Sequence, residues 1–117
     1  IIDPGGNSNT KGSGWVTIAT TTAAVKMMLV AIGNARRNVR DNGSVLIDIA
    51  IGPVGGEEII LSNLSLMSGV GHDKLTPDYL PPILRNVPTN TRIAARAQST
   101  NTTLARRYFE MAIYGIS

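Results

Sequence analysis

The sequence predicts an all-β protein, an antiparallel β-sandwich of the jelly-roll type or a related Greek key. Short segments alternate apolar and polar residues, Gly, Pro and Asn separate them, and no segment has a convincing helical period. The length of 117 residues suits a single hydrophobic core. We expect one sandwich domain over residues 15–117. An extended or flexible arm, residues 1–14, rich in Gly, Asn and Ser, precedes it.

The first two strands are predicted at residues 15–20 (WVTIAT) and 27–33 (MMLVAIG). Trp15 stands on an alternating segment and is expected in the core. A helix over residues 23–37 is the alternative for the second segment, since Ala, Met and Leu favour helices. The threonines of residues 20–22 and Gly33 argue against the helix, so the sequence favours a strand.

The clearest central strand covers residues 44–51 (SVLIDIAI), in which Val45, Ile47, Ile49 and Ile51 share one face. A glycine-rich connection, residues 52–56, leads to an extended segment at residues 57–61, so the two segments are predicted to form a hairpin. Residues 62–78 are predicted to be mostly a long loop. Because Pro81 and Pro82 cannot donate ladder hydrogen bonds, the next strand should begin after them or lie at an edge.

The chain then has two alternating segments, residues 92–98 (RIAARAQ) and 107–116 (RYFEMAIYGI), joined by a polar stretch. We expect this pair to complete a sheet. One face is assigned to the core, with Ile93, Ala95, Ala97, Phe109, Met111 and Ile113. The opposite face is a candidate subunit interface, with plain solvent exposure as the alternative. Its residues are Arg92, Arg96, Tyr108, Glu110 and Tyr114.

Composition restricts the classes of partner. The net charge of +3 comes from eight arginines and three lysines, scattered without the dense basic stripe and interleaved aromatics of nucleic-acid binders, which argues against direct nucleic-acid binding. The longest apolar run, residues 27–32, is far shorter than the roughly 20 residues that span a bilayer, so no membrane partner is expected. The chain has no cysteine, which excludes thiolate catalysis and Cys-ligated zinc.

No catalytic, cofactor-binding or metal site is predicted, and we expect a protein that is not an enzyme. His72 is the only histidine and lies in a glycine-rich segment, where a surface role is more common than catalysis. Asp41, Asp48, Glu57 and Glu58 flank predicted turns, where carboxylates usually bond to the backbone. The glycines of residues 52–56 lack the Lys-Ser/Thr ending of a phosphate-binding loop.

Four segments carry a resemblance to a known family: GSGWVTI, VLIDIAIGPVGGEEIIL, LPPILRNVPTNTRIAARAQS and FEMAIYGI. They resemble small structural proteins of tailed bacteriophages, in which a strand ending in a G-x-x-G-x-E turn precedes a P-x-x-T-R-I-A-A-R-x-Q strand and a short strand ending in Tyr-Gly. The resemblance extends over most of the chain from Gly14 onward. It implies a β-sandwich component of the virion, located on the capsid surface in preference to the tail.

The function implied is that of a capsid decoration or cement protein that self-associates, with a trimer favoured, and binds the major capsid protein or other virion proteins. Ile1, Ile2, Asp3 and Pro4 of the arm are candidate contacts to the shell. One alternative is a tail or neck component. A second is a carbohydrate-binding sandwich, in which Trp15, Tyr79, Tyr108 or Tyr114 stacks on a sugar ring.

Overall fold

The computed structural model describes residues 2–5, 7–12, 14–34, 44–67, 78–79, 82–100 and 109–117, and within them the chain is all-β. The strands are β1 (Val16–Thr20), β2 (Val25–Asn34), β3 (Ser44–Ile51), β4 (Glu58–Met67), β5 (Asp78–Tyr79), β6 (Ile83–Val87), β7 (Arg92–Ser99) and β8 (Phe109–Ile116). They form two antiparallel sheets packed against each other, and the predicted β-sandwich is confirmed.

Sheet 1 has the strand order β1-β7-β3-β4, so β7 and β3 are central. Sheet 2 is built around β2. Strand β8 pairs along one edge of β2 from Met27 to Asn34, and β5 and β6 follow one another along its other edge. The register shifts by one residue between Ala31↔Tyr79 and Met28↔Ile83, so β5 and β6 lie along the same edge of β2 without sharing one register.

The strand pairs are nested along the chain. Strand β3 pairs with β4, β2 pairs with β5 and β6, and β1 pairs with β7. This is the pattern of one long hairpin folded over on itself, which is the principle of a jelly roll. Strand β8 is an addition to that pattern, placed beside β2.

The core lies between the sheets and is almost entirely aliphatic. Sheet 1 contributes the predicted face of β3 together with Ile93, Ala95 and Ala97, and sheet 2 contributes Met28, Val30 and Val87. Burying each Val, Ile or Met stabilises the fold by about 1.5–3 kcal/mol relative to exposure. The alternation of β3 thus determines which of its side chains enter the core, as predicted.

Two other strand predictions have clear outcomes. Strand β2 covers the segment for which a helix was the alternative, so the strand is confirmed. The predicted long loop over residues 62–78 was wrong for residues 62–67, because β4 continues to Met67, and residues 68–77 lie outside the described residues. Two irregularities in the β3–β4 register fall near Ile49, and they disturb the alternation by which the strand would be recognised in the sequence.

The last two long strands do not pair with each other. Strand β7 lies between β1 and β3 in sheet 1, whereas β8 pairs with β2 in sheet 2. The prediction that they jointly complete one sheet was therefore wrong. The nine residues between the two strands, 100–108, are enough for the chain to pass from one sheet to the other, and the local alternation is the same in either case.

The N-terminal segment packs against the sandwich instead of forming a free arm. Ile2 and Pro4 are fully buried, and Ile2 belongs to the core. The backbone amide of Asn9 donates to the carbonyl of Ser99 at 3.0 Å, and that of Gly12 donates to the carbonyl of Ala97 at 2.9 Å. These bonds extend sheet 1 along the edge of β7 beyond the end of β1. Burying Ile2 offsets the cost of ordering the segment.

Candidate functional site

A charged cluster occupies the outer face of sheet 1, around the buried carboxylate of Asp48 on β3. Oδ1 of Asp48 accepts hydrogen bonds from Nζ of Lys11 at 2.6 Å and from the backbone amide of Asn63 at 2.9 Å. Oδ2 accepts from Nε of Arg96 at 2.9 Å. The side chain of Asp48 is 4% exposed, so the carboxylate must be paired to remain charged. We call Lys11, Trp15, Asp48, Asn63 and Arg96 the Asp48 cluster.

A β-bulge creates the backbone donor for Asp48. The register passes from Ile47↔Leu64 to Ile49↔Leu61, so two residues of β4 lie opposite Asp48. One of them, Asn63, has a φ of 55°, in the left-handed region that asparagine tolerates. The bulge turns the amide of Asn63 toward the carboxylate, while its Oδ1 accepts a hydrogen bond from Nζ of Lys11 at 2.9 Å.

Two arginines of β7 connect this cluster to the first residues of the domain. The guanidinium carbon of Arg96 lies 4.6 Å from the centroid of the Trp15 ring, within range of a cation–π interaction. Arg92 donates from Nε to Oγ1 of Thr17 at 2.7 Å and from Nη1 to Oε1 of Glu57 at 2.9 Å. Trp15 therefore lies on the outside of sheet 1, and the prediction of a core position was wrong.

Both carboxylates in this region have a pKa below the usual range, for different reasons. Burial raises the pKa of Asp48, but the hydrogen bonds from Lys11, from the amide of Asn63 and from Arg96 together outweigh it. The pKa of Glu57 is lowered chiefly by a hydrogen bond from its own backbone amide; burial raises it, and hydrogen bonds from Arg92 and from the amide of Gly55 lower it further. Both carboxylates are ionised at neutral pH.

The chemistry of this face is structural. The two acidic groups are each held by a cation, and every buried side-chain N or O atom of the described residues has a hydrogen-bond partner. Both oxygens of each carboxylate accept hydrogen bonds from groups within the domain. The Asp48 cluster joins the N-terminal segment to β3, β4 and β7.

The outer face of sheet 2 is apolar along the part of β2 from Met27 to Ala31. Met28 and Val30 point inward, so their neighbours Met27, Leu29 and Ala31 point outward. Cross-strand partners point to the same side of a sheet. Met27 pairs with both Leu84 and Ile116, Leu29 pairs with Tyr114, and Ala31 pairs with Ala112. Leu84 is 81% exposed, Tyr114 58% and Ile116 39%. We call these seven residues the apolar face: Met27, Leu29, Ala31, Leu84, Ala112, Tyr114 and Ile116.

A cavity of about 270 Å³ lies at the end of the sandwich beside the β1–β2 connection, and Met28, Ile93 and Ile113 form part of its apolar lining. An adjoining groove of about 540 Å³ shares Ala24, Val25 and Ser117 with it. Among the described residues, the lining of the cavity contains no ionisable side chain, and that of the groove contains Lys26.

The predicted interface residues do not form one surface. Arg92 and Arg96 lie on the outer face of sheet 1, where they are bonded within the domain, and Tyr114 lies on the outer face of sheet 2. Tyr108 is outside the described residues, and Glu110 is described by its position opposite Gly33 on β2. The single-interface prediction was wrong because β7 and β8 belong to different sheets.

The residues predicted as contacts of the N-terminal arm are not all exposed. Ile2 and Pro4 are buried within their own domain, and Oδ1 of the partly buried Asp3 accepts a hydrogen bond from the amide of Gly5 at 2.9 Å. Ile1 lies outside the described residues, as do Asp41 and His72. The prediction of Ile2 and Pro4 as contacts to a shell was wrong, because both side chains are buried within their own domain.

Sequence reasoning did not find the Asp48 cluster or the apolar face. The signal for the cluster was a lone carboxylate in an otherwise apolar central strand, which needs a buried partner. The partners are far away in the sequence, at Lys11 and Arg96. The sign of the apolar face in the sequence is weaker. Strand β2 (VKMMLVAIGN) is apolar on both of its faces, whereas a strand with one face in water is usually apolar on one face only.

Comparison with known proteins gives no match to any protein-family model, any curated protein or any solved structure. Among the described residues, no helix is long and apolar enough to cross a membrane. In the same part of the chain, no three His, Cys, Asp or Glu side chains are grouped so that they could hold a metal ion.

Proposed function

We propose that this protein is a non-enzymatic structural component of a tailed-bacteriophage virion, a capsid decoration protein that self-associates and binds the capsid lattice. The proposed family rests on the resemblance of the four segments described above, which lie between Gly12 and Ile116. The single observation that favours a binding role is the apolar face. A flat surface exposing Leu84, Tyr114 and Ile116 side by side is typical of a protein–protein contact.

The size of the apolar face suits repeated, individually weak contacts. The apolar face is three strands wide and five residues long. At about 4.8 Å for each strand and about 3.3 Å for each residue, its flat area is about 240 Å². A contact of this size is below the range of a stable one-to-one complex, which buries about 1,200 Å² or more in total. A lattice compensates for weak contacts, because linking several copies multiplies their affinity.

The direct test is co-sedimentation of the purified protein with empty phage capsid shells built from the major capsid protein alone. We expect saturable binding, with one bound oligomer for each equivalent lattice position. Tyr114→Asp should reduce binding, because it places a charge in the contact. Val54→Asp is the matched control, since Val54 is 83% exposed on the β3–β4 connection, away from the apolar face. Shells that retain no protein at any concentration exclude the decoration role.

The tail or neck alternative uses the same face with a different partner. Purified tails replace the shells in the same experiment, with the same two variants. Binding to tails and not to shells would assign the protein to the tail, and the dependence on Tyr114 would be unchanged.

A carbohydrate-binding module is the second candidate, and the position of Trp15 outside the core favours it. One face of the ring is covered by Arg96, and Asp48 and Asn63 lie in the same cluster. A sugar stacked on the other face would change the fluorescence of the only tryptophan in the chain. A titration with simple sugars and a Trp15→Ala control tests this. Unchanged fluorescence at high sugar concentration excludes the sugar site at Trp15.

A further inference from the structure

Three side chains of the Asp48 cluster bring an amine, a primary amide and a carboxylate into contact. Nζ of Lys11 donates to Oδ1 of Asp48 at 2.6 Å and to Oδ1 of Asn63 at 2.9 Å. The side chain of Lys11 is 18% exposed and that of Asp48 is 4% exposed, so water has little access to the amine. A nucleophile, the group that it can attack and a proton acceptor thus lie within hydrogen-bond distance of one another.

The contact between Lys11 and Asn63 is close to the geometry of attack. A C=O bond is about 1.23 Å long, so an Nζ atom 2.9 Å from Oδ1 lies about 3–4 Å from Cγ of Asn63. Reacting atoms in a near-attack arrangement are about 3–3.5 Å apart. The hydrogen bond from the backbone amide of Asn63 to Asp48 holds the bulge that carries this side chain. A small rotation of the side-chain amide therefore brings Cγ within reach of Nζ.

From this geometry we propose that Lys11 and Asn63 form an intramolecular amide bond, with Asp48 as the proton carrier. Oδ1 of Asp48 accepts a proton from the Lys11 ammonium, which frees the electron pair on Nζ for attack on Cγ of Asn63. The bond from Cγ to the side-chain nitrogen then breaks, as Asp48 returns the proton to that nitrogen. A second proton from Nζ goes to the released ammonia, which leaves as ammonium. One C–N bond forms and one breaks, so the reaction needs no oxidant or cofactor.

The surroundings of Asp48 make this reaction slow and confine it to one turnover. Arg96 donates to Oδ2 of Asp48 at 2.9 Å, and the amide of Asn63 donates to Oδ1. Both hydrogen bonds favour the charged carboxylate and oppose its uptake of a proton from Lys11. Asn63 is exposed, so the ammonium has a path to solvent. We expect the bond to form in the folded chain over days, once in each molecule.

The bond would fasten the two edges of sheet 1 to each other. The segment that carries Lys11 extends the sheet beside β7, and β4 is the strand at the opposite edge. The bond encloses β1, β2 and β3 in one covalent loop, which restricts the unfolded chain as a disulfide does. The inference goes beyond the proposed function and is independent of the partner of the apolar face.

Mass spectrometry of the intact, full-length chain stored at about pH 8 for several weeks tests the inference. We expect a growing fraction that is lighter by one ammonia, and a proteolytic digest with one branched peptide that joins Lys11 to Asn63. Lys11→Arg keeps the positive charge but not the nucleophile, so it should form no branched peptide. Asn63→Gly suits the left-handed φ of 55° and removes the amide, with the same expected result. Lys26→Arg, on β2, is the control and should link like the unmodified chain.

The branched peptide separates this reaction from another loss of ammonia. An asparagine that closes on its own backbone, for example Asn42 before Gly43, gives the same mass without a branched peptide, and it does so in Lys11→Arg as well. Asp48→Asn keeps the amine and the amide and should slow linking at least about 100-fold. Circular dichroism at the storage temperature checks that this variant is folded. The inference is overturned by a stored chain without the branched peptide, or by linking at an unchanged rate in folded Asp48→Asn.

Discussion

Replacing Asp48 by Asn tests the cluster that fastens the N-terminal segment to sheet 1. The amide keeps the shape of the carboxylate and removes its charge. Lys11 and Arg96 then lose the negative charge that they share. The amide NH2 takes the place of one carboxylate oxygen and faces a group that is itself a donor, so the hydrogen bond at that position is lost. The variant therefore removes the charge and one hydrogen-bond acceptor while it keeps the shape of the side chain.

The expected cost follows from the burial of the three groups. Removing one partner of a fully buried ion pair costs about 3–5 kcal/mol. The side chains of Lys11 and Arg96 are 18% and 30% exposed, so water partly solvates both cations in the variant. We therefore take the lower end, about 3 kcal/mol. The entropy of unfolding is about 0.25 kcal/mol/K for 117 residues, so the midpoint should fall by about 12 °C.

Thermal unfolding followed by circular dichroism gives the midpoint, and the fluorescence of Trp15 reports the environment of Arg96. The matched control is Glu58→Gln, which breaks the exposed ion pair between Arg85 and Glu58 at 2.5 Å and should change the free energy of unfolding by less than about 1 kcal/mol. If Asp48→Asn unfolds within about 4 °C of the unmodified chain, the account of the cluster as a stabilising joint is refuted.

Three further predictions concern the same domain. Ile2→Ala should lower the free energy of unfolding by about 3 kcal/mol in chemical denaturation, as for any fully buried aliphatic side chain, whereas a free arm predicts almost no change. Gly52→Ala should cost at least about 2 kcal/mol, because φ is +117° and the added Cβ would lie 2.6 Å from the carbonyl oxygen of Gly56; Gly14→Ala, in open space, is its control. Acidification should destabilise the fold below about pH 4, because the folded-state pKa of Asp48 lies below its unfolded value, so the unfolded chain takes up protons first. The midpoint of Asp48→Asn should depend less on pH across that window, and an equal dependence would contradict the assignment to Asp48.

The sequence predicts the parts of the fold that are set locally. The alternation of β3 places Val45, Ile47 and Ile49 in the core, and the glycine-rich connection after Ile51 leads into β4 as a hairpin. Both features depend on neighbouring residues alone, because the side-chain period of a strand and the conformations open to glycine need no distant partner.

What the sequence does not predict depends on contacts between distant residues. The bulge opposite Asp48 breaks the pattern of β4, so that strand looks like a loop. The alternation of β7 and β8 assigns inner and outer residues within each strand, but it does not say which sheet each strand joins. Arg96 and Tyr114 are thus both correctly placed on outer faces, and those faces are on opposite sides of the molecule.

The nested order of the strands also governs how the chain can fold. Among the described strands, only β3 and β4 are neighbours in the sequence and partners in a sheet, so their hairpin can form early with a small loss of loop entropy. Within the part of the chain that the structure describes, strands β1 and β2 pair only with residues from Asp78 onward. During synthesis both strands leave the ribosome long before their partners exist, with their apolar residues exposed. Each sheet closes only after the later strands have arrived, which places this chain among slowly folding β topologies.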